Sequence, residues 1–415
     1  MSDIIVAIDI GTSKVSTVIG KINNTGEVEI LGKGIDPCSG VKKGIIIDID
    51  ATASSIRNSV RTAEAQSEMK VVSAYVNISG LHVNIINYKT FTNIVSDSKE
   101  ITKNDVQKLI YGAGTIRIAD DCEIIDVVPR QFIVDGYDGI LDPVGMKGSK
   151  LEGDFDIVIG KIISVQNIIT SMEKAGLKVD GLVAEGFAGG ECILMPDEKD
   201  MGVILIDIGG GSTELSVFKG EKLIMNRCLP VGGDHITNDL SIALKISYAE
   251  SEKIKRQFQL ASTALIKNDQ GISVSDISES FKKNIMVSDA VEVIEARVYE
   301  IFSLCQDLIN KNCPGTYGAG VVLSGNGIAS LDGATNLAND VFDLPVRIAA
   351  PKVKNISSLD YCTAAGMIKY IANQEKEAST ISLKNVSKSD KKASKNAGKK
   401  SFFKKVLGAL KEFFY

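Results

Sequence analysis

Asp207 is followed by three glycines, Gly209, Gly210 and Gly211, and then by the hydroxyls of Ser212 and Thr213. That order of residue types suits a phosphate held beside a divalent cation. Glycine lacks a Cβ, so its peptide N–H groups come within bonding distance of an anion. The hydroxyls add donors. A carboxylate at the head of the turn is placed to hold a cation, or that cation's waters, against the anion. A Walker loop would end in Gly-Lys-Ser/Thr and open a helix, and this turn does neither.

One such turn reads equally well as a plain hairpin. The chain carries it twice. Asp9, Gly11, Thr12, Ser13 and Lys14 repeat the order of apolar run, aspartate, glycine and hydroxyls before a second strand. A repeat at this separation predicts two similar half-domains facing each other. Two phosphate hairpins meeting at one cleft would grip a polyphosphate from both sides.

The elements that must position these turns follow from periodicity. Residues 3–20 read as a hairpin, 28–34 as a third strand, 51–67 as an amphipathic helix and 70–80 as a strand. A different unit follows. Short strands are expected at 82–87, 91–95, 122–128 and 131–134. A helix over 103–118 is capped by Thr102, with Asp105 in its first turn. A loop with Gly136, Gly139, Gly145, Gly148 and Gly153 leads to a strand over 155–163. Long loops set residues 81–162 apart as an inserted α+β domain rather than a continuation of the sheet.

A helix over 165–175 and a strand over 179–184 resume the first half. Glu185 lies at that strand's carboxyl end, where ligand-contacting residues of open α/β sheets collect. The second half opens at 201. Gly232 and Gly233 form a turn, and Asp234 is expected to N-cap a helix over 235–245. Ser247 and Glu250 have capping-box spacing for the next helix. That helix carries Glu252 and Lys255 on one face, either as a solvated ion pair or as hydrogen-bonding groups for a ribose or base. After a helix over 287–310, an apolar run ends in Ser324, Gly325, Asn326 and Gly327, small residues that let backbone approach a flat base. A helix over 361–372 closes the body.

At 415 residues the chain has room for two or more cores. Its net charge of −5 is unevenly spread. Residues 376–415 hold 11 lysines against Glu377, Asp390 and Glu412, so the tail carries +8 and the body −5 − 8 = −13. Such a tail calls for an acidic partner, membrane or nucleic acid. The seven cysteines form no Cys-x-x-Cys pair and read as buried small residues of a reducing cytosol. With only His82 and His235, a zinc site is not expected. No secretory signal or bilayer-spanning run is evident.

Residues 376–400 are rich in Lys, Ser and Asn and read as a disordered linker, spanning roughly 25–30 Å on average. Wound as a helix, residues 401–415 gather Phe402, Phe403, Val406, Leu407, Leu410, Phe413 and Phe414 in an arc of about 140°. Lys404, Lys405, Lys411 and Glu412 fall opposite. Too short to span a membrane, this segment is expected to lie in the interface of an anionic bilayer. Its bulky apolar face argues against nucleic acid, and the preceding linker against packing on the body.

The two Asp-x-Gly turns and the late Ser-Gly-x-Gly turn, in this order, resemble the actin/DnaK-type ATPase superfamily. Gln131 to Gly136, Asp142 to Met146 and Val231 to Asn238 narrow the resemblance to the FtsA family of actin-like bacterial cell-division proteins. It covers about residues 3–372 and, separately, the tail. The resemblance implies an α/β fold of two actin-like halves with ATP and Mg2+ between them. The first half would comprise 1–80 and 163–200. The second would comprise 201–233 and 317–372, with 234–316 as its outer subdomain. The insertion, 81–162, would serve polymerisation and recruitment. A linker would occupy 373–400, and a membrane-targeting helix 401–415.

On matching positions, Gly11 to Lys14 and Gly209 to Thr213 would meet the phosphates, with Gly233 in the turn beside them. Asp9 and Asp207 would hold magnesium and its waters. Glu252 and Lys255 would serve ribose and base. Gly325 to Gly327 would lie on adenine, although Asn326 stands where the family pattern usually has glycine. Glu185 lies near the family's water-orienting residue; the alternative is a surface carboxylate at a strand end. His235 is expected to serve the helix's first turn rather than catalysis.

The implied function is that of an ATP-binding filament and adaptor protein with at most slow hydrolysis. It would sit at the cytoplasmic side of the cell membrane at the division site, tether the FtsZ ring and recruit later division proteins. The FtsZ C-terminal tail would dock on 234–316, with Arg297 as contact or else as a solvated helix-face arginine. Rival readings are a PilM-type pilus-assembly protein, which has no need of this tail, and a superfamily sugar kinase or exopolyphosphatase, for which no sugar-site signature is recognised.

Overall fold

The computed structural model describes residues 4–23, 27–275 and 282–383, with side chains to residue 374. The expected membrane residues Phe402, Phe403, Val406, Leu407, Leu410, Phe413 and Phe414 lie outside this range.

The chain begins with an antiparallel meander of β1 (Ile4–Ile10), β2 (Lys14–Ile22) and β3 (Val28–Pro37). A small hairpin follows, β4 (Val41–Lys42) and β5 (Ile45–Ile46). Helix α1 (Ile49–Ser67) starts at Asp48, whose carboxylate accepts the Ala51 N–H at 2.9 Å. Buried Ile56, Val60 and Ala63 recur at helical spacing on its inner face. The chain returns as β6 (Ser73–Ile78), parallel to β1.

The insertion comes next: β7 (Val83–Asn93), α2 (Lys103–Ala113), β8 (Cys122–Val134), β9 (Tyr137–Ile140) and β10 (Lys150–Lys161). Its sheet runs β7-β10-β8-β9 over its own core, including Leu109, Phe132, Phe155 and Ile157. Thr102 and Asp105 cap α2 reciprocally, at 3.3 and 2.9 Å. Three details depart from expectation. The strands expected at 82–87 and 91–95 are one strand, because β10 pairs with β7 from Val83 to Asn93 and Asp154 receives the amide of Asn87 at 2.5 Å. Those expected at 122–128 and 131–134 are also one, with Pro129 accommodated at a register shift. Helix α2 stops at Ala113, capped by Gly114, rather than reaching residue 118.

Helix α3 (Ile162–Lys174) leads to β11 (Lys178–Ala184), which completes a five-stranded sheet of order β11-β6-β1-β2-β3. Helices α4 (Glu185–Ile193) and α5 (Pro196–Met201) pass to the second half. There β12 (Val203–Ile208), β13 (Thr213–Lys219) and β14 (Lys222–Leu229) form a second meander. The outer part consists of α6 (Gly233–Leu244), α7 (Tyr248–Phe258), the hairpin β15 (Gly271–Ser275) and β16 (Lys282–Met286), and the long α8 (Val287–Asn312). The described residues close with β17 (Val321–Ser324), α9 (Ala334–Phe342), β18 (Val346–Ile348) and α10 (Cys362–Leu383).

The second sheet, β14-β13-β12-β17-β18, repeats the first strand for strand. In each, a central strand carries the aspartate, with an antiparallel partner on one side and a parallel one on the other. Helices α4 and α10 join a core that takes Ala7 and Val18 from the first sheet and Leu205 and Val322 from the second. The helices touch backbone to backbone: a Cβ on Gly366 would collide with the Ala188 carbonyl.

Two boundaries differ from the sequence reading. Helix α6 begins at Gly233 with Gly232 as N-cap, so Asp234 sits inside the first turn. Helix α10 continues beyond residue 372 into the expected linker, through a stretch of Gln, Glu, Lys and Ala that favours helix.

Candidate functional site

The two phosphate-type turns are built alike. Gly11 N–H donates to the Lys14 carbonyl and Gly209 N–H to that of Ser212, both at 2.9 Å. Each bond closes a tight turn where a central strand passes to its antiparallel partner. The turns face each other. A Cβ on Gly211 would lie 2.8 Å from Thr12 Oγ1, and one on Gly210 would lie 3.5 Å from the Ser13 Cβ. Glycine at 211 is what permits that approach. Between the turns opens a cleft lined by Asp9, Gly11 to Lys14, Glu185, Asp207, Gly209, Gly210, Ser212 and Gly325 to Gly327.

Thr213 corrects the sequence reading. It is fully buried, and its hydroxyl donates to the Val231 carbonyl at 2.7 Å. It is the first residue of β13, where alternate side chains turn to opposite faces. Ser212, one residue earlier, lines the cleft.

At the other end, α6 is pinned to the second turn. Gly233 N–H donates to the Gly209 carbonyl at 2.9 Å, and Asp234 N–H to that of Gly210 at 2.8 Å. Gly327 N–H meets the Ile208 carbonyl at 2.8 Å. A Cβ on Gly233 would stand 2.9 Å from the Gly327 Cα, so the two glycines pack back to back. Gly325 has φ +84°, in the left-handed region. The Asn326 amide donates to Asp360, which also pairs with Lys14.

Glu252 and Lys255 are more than a solvated pair. The buried Lys255 ammonium reaches Glu252 at 2.7 Å, Thr237 Oγ1 at 2.7 Å and the Gly233 carbonyl at 3.0 Å, which uses all three of its protons. Against the upward push of burial, Lys255, Thr237 and Arg256 hold the Glu252 carboxyl down to about 2. The trio braces the Gly233 turn while both side chains line the cleft. His235 Nδ1 accepts the Gly232 N–H at 3.1 Å, the expected first-turn role.

The floor of the cleft concentrates negative charge. Burial pushes Asp9 up to about 7, with Asp207 adding to the rise and Lys14 opposing it. Burial likewise raises Asp207, which Ser324 Oγ meets at 3.1 Å. Glu185 is raised well above the carboxylate range by burial, then by Glu214 and Asp9. Burial drives Glu214 to about 7. Such a floor is relieved by a cation. Among the described residues no group of three or more His, Cys, Asp or Glu is arranged to hold one. Two carboxylates such as Asp9 and Asp207 could hold an ion like magnesium, which takes one or two carboxylates and completes its shell with phosphate and water.

Asn77, Glu214 and Asp360 escaped the sequence reading. Asn77 accepts the Ile10 N–H at 2.7 Å and donates to Glu185 at 2.7 Å, tying β1 to α4. Its one sequence signal is a lone amide in an apolar strand. Glu214 accepts from Asn226 at 2.8 Å and from the Gly80 N–H at 3.2 Å, bridging the halves.

Arg297 has partners within the outer subdomain. Its guanidinium forks onto Asp239 of α6 at 2.5 and 3.1 Å and pairs with Glu300. Partly exposed, it ties α8 to α6.

Comparison with known proteins agrees with this architecture. The family profile "Cell division protein FtsA" matches residues 204–366, and the profile "SHS2 domain inserted in FTSA" matches residues 80–159. The cell division protein FtsA of Bacillus subtilis (strain 168) is 34% identical over 369 residues, covering 89% of this chain and 83% of that protein. The FtsA of Borreliella burgdorferi is 32% identical over 425 residues, covering 99% of each. Among solved structures, the PilM-PilN type IV pilus biogenesis complex matches with a TM-score of 0.60 at 16% identity, over 89% of this chain and 98% of that one. MreB5 of Spiroplasma citri bound to ADP matches at 0.54 and 15% identity, over 92% and 98%. These two likenesses are of fold, whereas the identity over most of the chain and both profiles are to FtsA. The chain therefore belongs to the FtsA family of cell division proteins, with an actin-like fold and an inserted SHS2 domain.

Proposed function

We propose that the chain is an ATP-binding filament and adaptor protein acting at the cytoplasmic face of the cell membrane during division. The observation that carries the nucleotide reading is the face-to-face approach of the two turns, with Gly211 against Thr12. Gly11 to Lys14 and Gly209 to Ser212 bind the phosphates from opposite sides. Gly325 to Gly327 bound the base, and Glu252 with Lys255 the ribose end. Asp9 and Asp207 would hold magnesium, which would neutralise phosphate charge when bound. Thr213 serves the fold of the turn.

Glu185 orients the attacking water in a slow hydrolysis. The Asn77 amide fixes its carboxyl at 2.7 Å. Because the turns belong to different halves, occupancy favours the closed arrangement of those halves, which is the polymerising state.

The FtsZ C-terminal tail docks on the outer subdomain, 234–316, as a short peptide of modest affinity. A tail carboxylate aimed at Arg297 has to displace Asp239. The insertion, 81–162, mediates contacts within the filament and with later division proteins. Residues 401–415 hold the protein to anionic lipid, and polymerisation makes that attachment firm through avidity. No helix among the described residues is long and apolar enough to cross a membrane, which is compatible with peripheral attachment.

Co-sedimentation with FtsZ and with anionic liposomes, using the full chain and the chain lacking 401–415, tests the adaptor reading. The full chain is expected in both pellets, and the truncated one only with FtsZ. A truncated protein that still pellets with liposomes removes the membrane tether.

A further inference from the structure

The hairpin β4–β5 has no part in that function, yet its tip rests against both phosphate turns. Lys43 and Gly44 form the two-residue turn, with φ +52° and +76°. Such a turn selects Asn, Asp or Gly, because a bulkier side chain at positive φ is strained. A lysine in that place is uncommon, and its position against both turns suggests a function.

Its surroundings indicate one. The Lys43 N and Cα are where a Cβ on Gly211 would collide, 2.8 Å away, so the tip rests on the second phosphate turn. Gly44 N–H donates to Thr12 Oγ1 at 3.1 Å, so the same tip is bonded to the first. The Lys43 side chain is exposed and forms no ion pair among the described residues. Its charge is felt at His235, at the head of α6 beyond the second turn. The other lysine at these turns, Lys14, is already paired with Asp360.

We propose that Lys43 is a third phosphate-binding element, a cation that the β4–β5 tip brings to the terminal phosphate and that makes the site prefer a nucleoside triphosphate to a diphosphate. The inference rests on reading the cleft as a nucleotide site. The base end lies at Gly325 to Gly327, so the terminal phosphate falls toward Thr12 and Gly211, where the tip sits. An ammonium on a phosphate oxygen is a charge-assisted contact, and its loss weakens binding about tenfold or more. The same tip is held from the insertion side. His82 Nε2 lies 3.1 Å from the Gly44 carbonyl, and His82 directly precedes β7.

The test is isothermal titration of the full-length protein with ATP, ADP and adenosine in magnesium, comparing the wild type with K43N, K43R and K42N. Asparagine suits the turn, so K43N should melt no lower than wild type. K43N is expected to bind ATP about tenfold or more weakly, with ADP and adenosine little changed. K43R should keep the ATP preference. K42N, which removes the same charge one residue earlier, should bind like wild type. Wild-type ATP affinity in K43N, or an equal loss in K42N, overturns the inference. A wild type that binds no nucleotide overturns the underlying reading of the cleft instead.

Discussion

Replacing Asp9 by asparagine should make the empty protein more stable and useless. Asp9 sits on the cleft floor, where burial, Asp207 and Asp360 disfavour its charge and Lys14 and Ser16 favour it, for a net rise from 3.8 to about 7. The native state therefore binds this proton more tightly than the unfolded chain. Below pH ~4 both states hold it and there is no penalty. As pH rises from about 4 to about 7 the unfolded chain releases it first, so stability falls with pH over that window and is level above it. The interval corresponds to an upper bound of ~4 kcal/mol at about 1.4 kcal/mol per pH unit. Asparagine carries no charge, so the variant should recover part of that figure, about 1–3 kcal/mol, at pH 8 and almost none at pH 4.

Thermal unfolding in EDTA without nucleotide, at pH 4, 6 and 8, reads this directly. The difference between variant and wild type should open with pH. Addition of Mg-ATP should then raise the wild-type midpoint and leave the variant's unmoved. A variant equally or more destabilised at pH 8 than at pH 4 would refute the electrostatic account of the floor. The expected pattern is the familiar one in which a strained functional group lowers stability.

Further outcomes are expected. Asp207→Ala should abolish magnesium-dependent ATP binding in a folded protein, a loss of a few kcal/mol or more, measured by titration with and without EDTA. Arg297→Ala should cost about 1 kcal/mol of stability by freeing α8 from Asp239, read by denaturant unfolding. Fluorescence anisotropy with a labelled FtsZ tail then separates its structural role from docking: deletion of 234–316 should abolish binding, whereas Arg297→Ala should leave most of it. Leu407→Glu or Phe403→Glu should release the protein from anionic vesicles in a flotation assay, while removal of Lys404 and Lys405 should weaken attachment in a salt-sensitive way.

The nucleotide-type turns are legible in sequence because their chemistry is local. A short apolar run, an aspartate, glycines and hydroxyls need only a strand end to become a phosphate cradle, and the duplication of that run at Asp9 and Asp207 announces two halves. The inserted domain is legible for a similar reason, since its strand–helix–strand pattern interrupts a repeat. Glu252 and Lys255 share a face by helical spacing alone. Other features depend on partners far away in the chain. Nothing local shows that 83–93 is one strand, because the bonds that keep it continuous belong to β10. Thr213 and Ser212 look interchangeable until β13 pairs with β14 and turns one hydroxyl onto Val231. Arg297 reads as free until α6 brings Asp239 to it from 58 residues away. Asn77 joins the site only when β6 comes to lie beside β1 and α4, Glu214 and Asp360 only when the halves meet, and Lys43 reaches the phosphate turns only because a hairpin is folded back between them. Sequence alone determined which residues have the chemistry and the local geometry to hold a phosphate. The tertiary structure decided which of them face the cleft, because a side chain's direction and its competing partners are set by long-range pairing that local spacing does not encode.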